Sequence, residues 1–271
     1  MRDLKEAVRA HWESEPCESR AGQSFGDRQK FFTEIDAYRY SRSPFIEQFA
    51  RFSEAKDKRI LEVGLGSGSD FIRWARAGAI AWGRDLTQAA VNLAEERLRL
   101  EGLTANVAIG DVEALEFPES FFDLVYSYGV VHHTPDTEAA VRELYRVLKP
   151  NGTIRVMIYN LNGFSVFYEW CLFALLRGRL RLSRRDIMAM YNESPGTKLY
   201  SQGEAAALFN RFRDVRIETI VDSGDTLQFQ LSERYKDNLI IKAAFKAAPL
   251  LKPFLGKRSR FGTTMLIEAC K

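Results

Sequence analysis

The stretch "RILEVGLGSGSD", residues 59–70, restricts the fold of this chain more than any other segment. Arg59 to Val63 form a short apolar run, and Gly64, Gly66 and Gly68 follow at alternate positions before a helical pattern starts near Asp70. A short apolar run stopped by glycines reads as a buried strand. Glycine lets the backbone adopt positive φ angles and pass close to a ligand, and amides at a helix start face the polar parts of such a ligand. A turn of this kind is also compatible with a tight connection that binds nothing, so its neighbours decide.

Those neighbours alternate. "AIAWG" (79–83), "NVAIG" (106–110), "FDLVYS" (122–127) and "TIRVMIY" (153–159) read as further strands. Between them, Thr87 precedes the helical repeat "QAAVNLAEERLRL" as a cap and Gly102 ends it. A helix over 138–148 stops at Pro150, Asn151 and Gly152. Strand–helix alternation implies an α/β domain, a parallel sheet covered on both faces. Residues 160–210 interrupt it with helical patterns, and it resumes with strands at 214–221 and 263–270. The N-terminal residues read as helices at 4–13 and 28–53, broken near Ser41 to Pro44. The organisation expected is a helical N-terminal extension or lid (1–53) and one α/β domain (54–271) with a helical cap insertion at 160–210.

The 271 residues are 46% apolar and 28% charged, enough for a sizeable core in a globular chain. A net charge of +3 is too near balance to argue for nucleic acid. Cys17, Cys171 and Cys270 lie far apart and show neither a disulfide framework nor metal-ligand spacing, which points to a reducing cytoplasm and to no metal site. The N-terminus lacks an apolar signal core. The apolar stretch "FSVFYEWCLFALL" (164–176) is too short to span a bilayer and carries Glu169, so no membrane span is expected, while peripheral contact stays open.

Two carboxylates extend the glycine turn. Asp85, in "GRDL", ends the second strand, where a carboxylate can accept two hydrogen bonds from a ribose diol. Asp111, in "GDVEAL", ends the third, where it can hold an exocyclic amine of adenine, with the backbone of Val112 beside it. Ligands of open α/β sheets bind at the carboxyl ends of strands, so three features in register there argue for a nucleoside-containing ligand. A nicotinamide dehydrogenase is the obvious rival. Its fingerprint is G-x-G-x-x-G, whereas this chain has G-x-G-x-G with Ser69 at the third position and Glu62 just before the turn.

At this point the chain resembles a known family. "LEVGLGSGSD", "GRDLT", "GDVEALEFPESFFDLVYSYGVVHHTPD" and "ELYRVLKPNGTIRV" are similar, in order and spacing, to the motifs of class I S-adenosylmethionine-dependent methyltransferases, in their small-molecule, ubiquinone-biosynthesis-like branch. The resemblance covers residues 58–160, with Asn151-Gly152 where two glycines are usual. It implies a Rossmann-like doubly wound, mostly parallel sheet whose last strand is antiparallel, and S-adenosylmethionine as cofactor. It further implies that Glu62 and the backbone of Gly64, Leu65, Gly66 and Gly68 hold the methionine part. Asp85 would bind the ribose, Leu86 would pack on adenine, and Asp111 and Val112 would hold its edge. Ser127 and Tyr128 would lie beside the sulfonium.

Methyl transfer is an in-line displacement in which the cofactor supplies the reactive group and the protein supplies position and a dry site. A general base is needed where the nucleophile must lose a proton. His132 and His133 are two of three histidines in the chain and follow the fourth strand, so one of them is a candidate base, with a wall or structural role the alternative. Of the two, His133 matches the more regular family position.

Acceptor choice falls to the variable parts. "FFTEIDAYRY" reads as an amphipathic helix packing on the domain, or as a lid from which Arg39 or Tyr40 reaches the cofactor carboxylate. Phe164, Phe167, Tyr168 and Trp170 read as core or pocket lining. Arg177, Arg179, Arg181, Arg184 and Arg185, and the basic apolar stretch 239–260, read as solvated faces or as contacts with an acidic substrate, a membrane surface or a partner protein. The function expected is methyl transfer to a small molecule. The alternatives are a cofactor-binding protein of the same fold with another activity and a nicotinamide oxidoreductase.

Overall fold

The computed structural model describes residues 2–14, 16–17, 26–191, 194–222, 225 and 259–271. Seven strands form one sheet in the order β3-β2-β1-β4-β5-β7-β6. They are β1 (Arg59–Val63), β2 (Ile80–Asp85), β3 (Asn106–Ile109), β4 (Phe122–Tyr128), β5 (Leu148–Tyr159), β6 (Arg213–Ile220) and β7 (Thr264–Cys270). Strand β7 runs antiparallel to both its neighbours, and the other pairings are parallel. Strand order reverses between β1 and β4, which opens a crevice at the carboxyl ends of the strands.

Strand β1 is apolar on both sides because both faces of the sheet are covered. Leu61 and Val63 pack with Phe122, Val125, Leu144, Val147 and Phe209 on the face of α6 (Thr137–Val147) and α9 (Gln202–Leu208). Ile60 packs with Phe71, Trp74, Leu98, Leu124 and Tyr126 on the opposite face, under α3 (Ile46–Ala50), α4 (Ser69–Arg76) and α5 (Gln88–Glu101). Full burial of each such side chain contributes about 1.5–3 kcal/mol. The helix boundaries follow local chemistry. Thr87 caps α5 and Gly102 ends it at φ 63°, while Asp136 accepts the Ala139 N–H at the start of α6.

Two strand boundaries differ from expectation by more than one residue. Strand β2 reaches Asp85, two residues further than its apolar run. Strand β5 starts at Leu148, before the Pro-Asn-Gly turn, because Asn151 takes a left-handed φ of 62° that keeps the chain on the sheet, its N–H bonded to the Lys271 carbonyl. Asn tolerates that region better than most residues.

The N-terminal residues form α1 (Arg2–Ser14) and α2 (Arg28–Arg42), and the 160–210 segment carries α7 (Phe164–Phe173), α8 (Arg184–Tyr191) and α9. The second helix is tied to α5 by Arg28–Glu96 and Asp36–Arg97 ion pairs. Most of the basic stretch 239–260, residues 239–258, lies outside the described residues.

Candidate active site

The glycine turn needs its glycines. Gly64 sits at φ 80°, and a Cβ there would lie 2.0 Å from the Val130 Cγ2 atom. Gly68, at φ 78°, lets α4 start within contact of Ala94 on α5. Asp85 holds the turn in place. Its Oδ2 accepts the N–H groups of Leu65 (2.7 Å) and Gly66 (3.3 Å), and its Oδ1 accepts the N–H (2.9 Å) and hydroxyl (2.7 Å) of Thr87. Burial pushes its carboxyl upward, and these donors work against that rise.

Above the turn lies a cavity of about 370 Å³, to which every strand contributes at the same end of the sheet. Its wall includes Gly64 after β1, Asp85 and Leu86 from β2, Asp111 and Val112 after β3, and Tyr128 from β4. Met157 and Tyr159 of β5, Asp222 beyond β6 and Thr264 of β7 complete that side. The roof comes from α1 and α2. Lys5, Val8 and Trp12, spaced on one face of α1, line the cavity with Tyr38, Arg39 and Arg42. Lys5 Nζ pairs with Asp111 and Glu113, each at 2.5 Å. Glu13 accepts the N–H groups of Gln88 and Ala89 at the start of α5. The first helix thus grips the loops after β2 and β3. Trp12 also meets the His133 ring edge-on, with centroids 5.5 Å apart.

The two histidines differ. His133 lines the cavity, and its Nδ1 is within hydrogen-bond distance of the hydroxyls of Ser194 (2.8 Å) and Thr197 (3.0 Å). His132 is fully buried against His133 and Tyr159, and neither ring nitrogen has a hydrogen-bond partner. Burial, then the charges of His133 and Lys198, holds it well below the usual imidazole range, so it stays neutral. No cluster of metal-ligating side chains occurs among the described residues.

Arg39 and Tyr40 pack α2 onto the domain, the first of the two roles expected for this helix. Arg39 binds Asp70 through Nε (2.9 Å) and Nη2 (2.5 Å), and the hydroxyls of Tyr40 and Tyr126 donate to the same carboxylate at 2.8 Å each. Burial would raise the Asp70 carboxyl, but Arg39 and the two tyrosines outweigh it and hold it below its ordinary value. Glu62, buried beside Asp70, accepts the Trp74 indole N–H at 2.8 Å. Burial first, and then the Asp70 charge, raises Glu62 well above the carboxylate range.

Residues 61–156 match a family model described as a methyltransferase domain. The ubiquinone/menaquinone biosynthesis C-methyltransferase UbiE of Neisseria gonorrhoeae (strain NCCP11945) is 32% identical over 147 residues, 51% of this chain and 60% of that protein. Over this segment the chain is similar to methyltransferases, the family its sequence motifs resemble. The UbiE of Neisseria meningitidis serogroup A (strain Z2491) is also 32% identical, over 139 residues covering 56% of its length, so the chain spans a little over half of the curated relatives it matches. Among solved structures, geranyl diphosphate C-methyltransferase from Streptomyces coelicolor A3(2) covers 98% of this chain and 97% of its own at a TM-score of 0.60 and 15% identity. The [4+2]-cyclase SpnF covers 88% and 81% at 0.52 and 17%. Both likenesses establish the fold alone.

The methyltransferase cavity suits the cofactor in its donor set. The backbone of Gly64 and Gly66 faces it without side chains, carboxylates stand at Asp85 and Asp111, and Leu86 and Val112 are apolar. Of the other sequence candidates, Gly66, Tyr128, Arg39 and His133 line it. Glu62, Leu65, Gly68, Tyr40, Ser127 and His132 stand behind the wall. Leu65 is buried in the core, and the Ser127 hydroxyl is buried with no hydrogen-bond partner. Among the described residues of 160–210 none lines the cavity; that segment acts through Ser194 and Thr197 on His133. Phe164, Phe167, Tyr168 and Trp170 lie on α7, with Phe167 half-exposed. Sequence reasoning missed Lys5, Trp12, Asp222 and Thr264. The spacing of Lys5, Val8 and Trp12 marks one helix face, and Asp222 is a carboxylate just past a strand end, as Asp85 and Asp111 are at theirs.

Proposed function

We propose that this chain transfers the methyl group of S-adenosylmethionine to a small-molecule acceptor in the cavity beneath α1 and α2. The single observation that carries this is the convergence of all seven strands on one cavity, with the glycine turn, Asp85 and Asp111 on one side and Tyr128, Tyr159 and Asp222 on the other. Its volume, about 370 Å³, is at the small end of ligand sites.

Bound there, S-adenosylmethionine would supply an electrophilic methyl carbon whose bond to sulfur breaks as the acceptor's lone pair attacks. Gly64, Gly66 and Asp85 would hold the amino-acid and ribose parts, and Asp111 and Val112 the adenine edge. Asp85 already serves four donors, so a ribose hydroxyl would share it with Thr87. Asp111 would exchange Lys5 for the adenine amine. The roof of α1 and α2 would shield bound ligands from water, and orientation in such a site can remove roughly 7–11 kcal/mol of barrier. His133, steadied by Ser194 and Thr197, is the group placed to take a proton where the acceptor must lose one.

The cytoplasm is the compartment this reading favours, supported by the wide separation of Cys17, Cys171 and Cys270 along the chain. Among the described residues no helix is long and apolar enough to cross a membrane. Formation of S-adenosylhomocysteine on addition of small hydroxyl, amine, thiol and activated-carbon acceptors tests the activity. Acceptor-dependent product is expected. Cofactor binding with no transfer to any class would favour a non-methylating activity on the same fold.

A further inference from the structure

At the edge of the cavity farthest from Asp85 and Asp111, two carboxylates close the end of β6. Asp225 is the anchor. It is 1% exposed, its Oδ2 accepts the N–H groups of Thr263 (2.8 Å) and Asp222 (3.2 Å), and its Oδ1 accepts the Thr263 hydroxyl (2.5 Å) and the Ser165 N–H (3.2 Å). Asp222 is the half-buried partner. Its Oδ2 accepts the Thr264 hydroxyl at 2.5 Å and its Oδ1 the Asp225 N–H at 3.3 Å. Thr264 pairs with Tyr159 on one side and Ile220 on the other, so β5, β7 and β6 all end at this point. Asp222, unlike Asp225, reaches the cavity wall, beside Thr264, Met157, Tyr159 and Tyr128.

The cofactor elements occupy β1, β2 and β3. The half of the wall formed by β5, β6 and β7 is left to the acceptor, and Asp222 is the carboxylate there. Burial, reinforced by the charge of Asp222, raises Asp225 to about 6. An ionised carboxylate accepts hydrogen bonds and donates none.

We propose that Asp222 selects the acceptor by taking a hydrogen bond from its hydroxyl or ammonium group, so that hydrogen-bond donors are methylated and carboxylate or phosphate compounds are refused. An anion placed against Asp222 meets like-charge repulsion. Lys5, Arg42, Arg84 and His133 also face the cavity, Lys5 bound to Asp111 and Arg84 to Glu116, and Arg39 does so while bound to Asp70, so the wall carries both signs and the preference is assigned to Asp222 alone. This inference rests on the methyltransferase reading of the same cavity.

The test uses the full chain saturated with S-adenosylhomocysteine and three probes of one shape: benzyl alcohol, benzylamine and benzoate, titrated by ligand-observed NMR. Benzyl alcohol or benzylamine is expected to bind at least about tenfold more tightly than benzoate, and D222N should shrink that gap to below about threefold while S-adenosylhomocysteine affinity stays within about twofold. Comparison of the alcohol with the amine separates a hydroxyl from an ammonium preference. Benzoate binding as tightly as the other two overturns the proposal in the wild type alone. A gap that persists in D222N, or in D222S should D222N not fold, overturns it as well. Failure to bind S-adenosylhomocysteine at all sinks the methyltransferase reading together with this one. Binding of S-adenosylhomocysteine without discrimination among probes sinks the Asp222 role alone.

Discussion

Replacing Arg39 by Met removes the cation that makes a buried carboxylate tolerable. Asp70 is 3% exposed and the Arg39 side chain 13%, so solvent screens the pair weakly. Two hydrogen bonds from Arg39 and two from Tyr40 and Tyr126 surround the carboxylate, and Glu62 lies close enough for its acid to be raised by the Asp70 charge. Stripping one partner from a buried ion pair costs about 3–5 kcal/mol, because the other charge stays behind. At roughly 2–4 °C per kcal/mol for a chain of this size, the melting temperature should fall by about 6–20 °C. The loss should depend on pH in a definite direction. In the wild type the depressed Asp70 stabilises fully above the ordinary carboxyl value of about 3.9, and that stability disappears as pH falls through the lower folded value. In R39M burial dominates and the folded value lies above the unfolded one. The destabilisation is then greatest above that raised value and shrinks as pH falls through it. Thermal unfolding by circular dichroism of wild type, R39M, D70N and R39M/D70N, at about pH 7.5 and about pH 5.5, reads both effects. The double variant should recover part of the R39M loss. A loss below about 1 kcal/mol, the size of an exposed pair, or a loss independent of pH, would refute the reasoning.

Asp85→Ala leaves the Leu65 and Gly66 amides without their acceptor and should weaken S-adenosylhomocysteine binding by about 1.5–3 kcal/mol, roughly 10- to 150-fold by calorimetry; unchanged affinity in a folded variant counts against the ribose assignment. His133→Ala should lower turnover by about 10²-fold with cofactor affinity intact, whereas a small change would reduce His133 to part of the wall. Lys5→Ala frees Asp111 and loosens α1 by the worth of a partly exposed ion pair, so stopped-flow association of S-adenosylhomocysteine should quicken by about two- to fivefold. Slower association would mean that Lys5 guides the cofactor in rather than competing with it.

The sheet was legible because its signals are local. The apolar run at Arg59–Val63 has both faces covered, and the Thr87 and Gly102 caps act within a turn of their own helix. Asp85 and Asp111 were legible for a related reason, since a strand end and its next residues are neighbours in sequence and in space. The same logic extends to Asp222, but β6 follows the 160–210 interruption, and its place at the cavity depends on β7 slotting between β5 and β6. That pairing joins residues about a hundred positions apart, which periodicity does not report. The helix carrying Arg39 and Tyr40 was expected either to pack on the domain or to reach the cofactor, and the sequence did not name the group it packs on. Their actual partner, Asp70, is a helix residue whose burial no local pattern reveals. The histidine pair shows both cases. The loop after β4 was legible, whereas the division of labour is set by Ser194 and Thr197, some sixty residues further on.

The central claim is that the cavity at the glycine turn holds S-adenosylmethionine and no dinucleotide. Titration calorimetry of the full chain with S-adenosylhomocysteine and, separately, with NAD tests it directly. One-to-one binding of S-adenosylhomocysteine, weakened in Asp85→Ala, with no heat from NAD is the result expected. Saturable NAD binding with none of S-adenosylhomocysteine would contradict it.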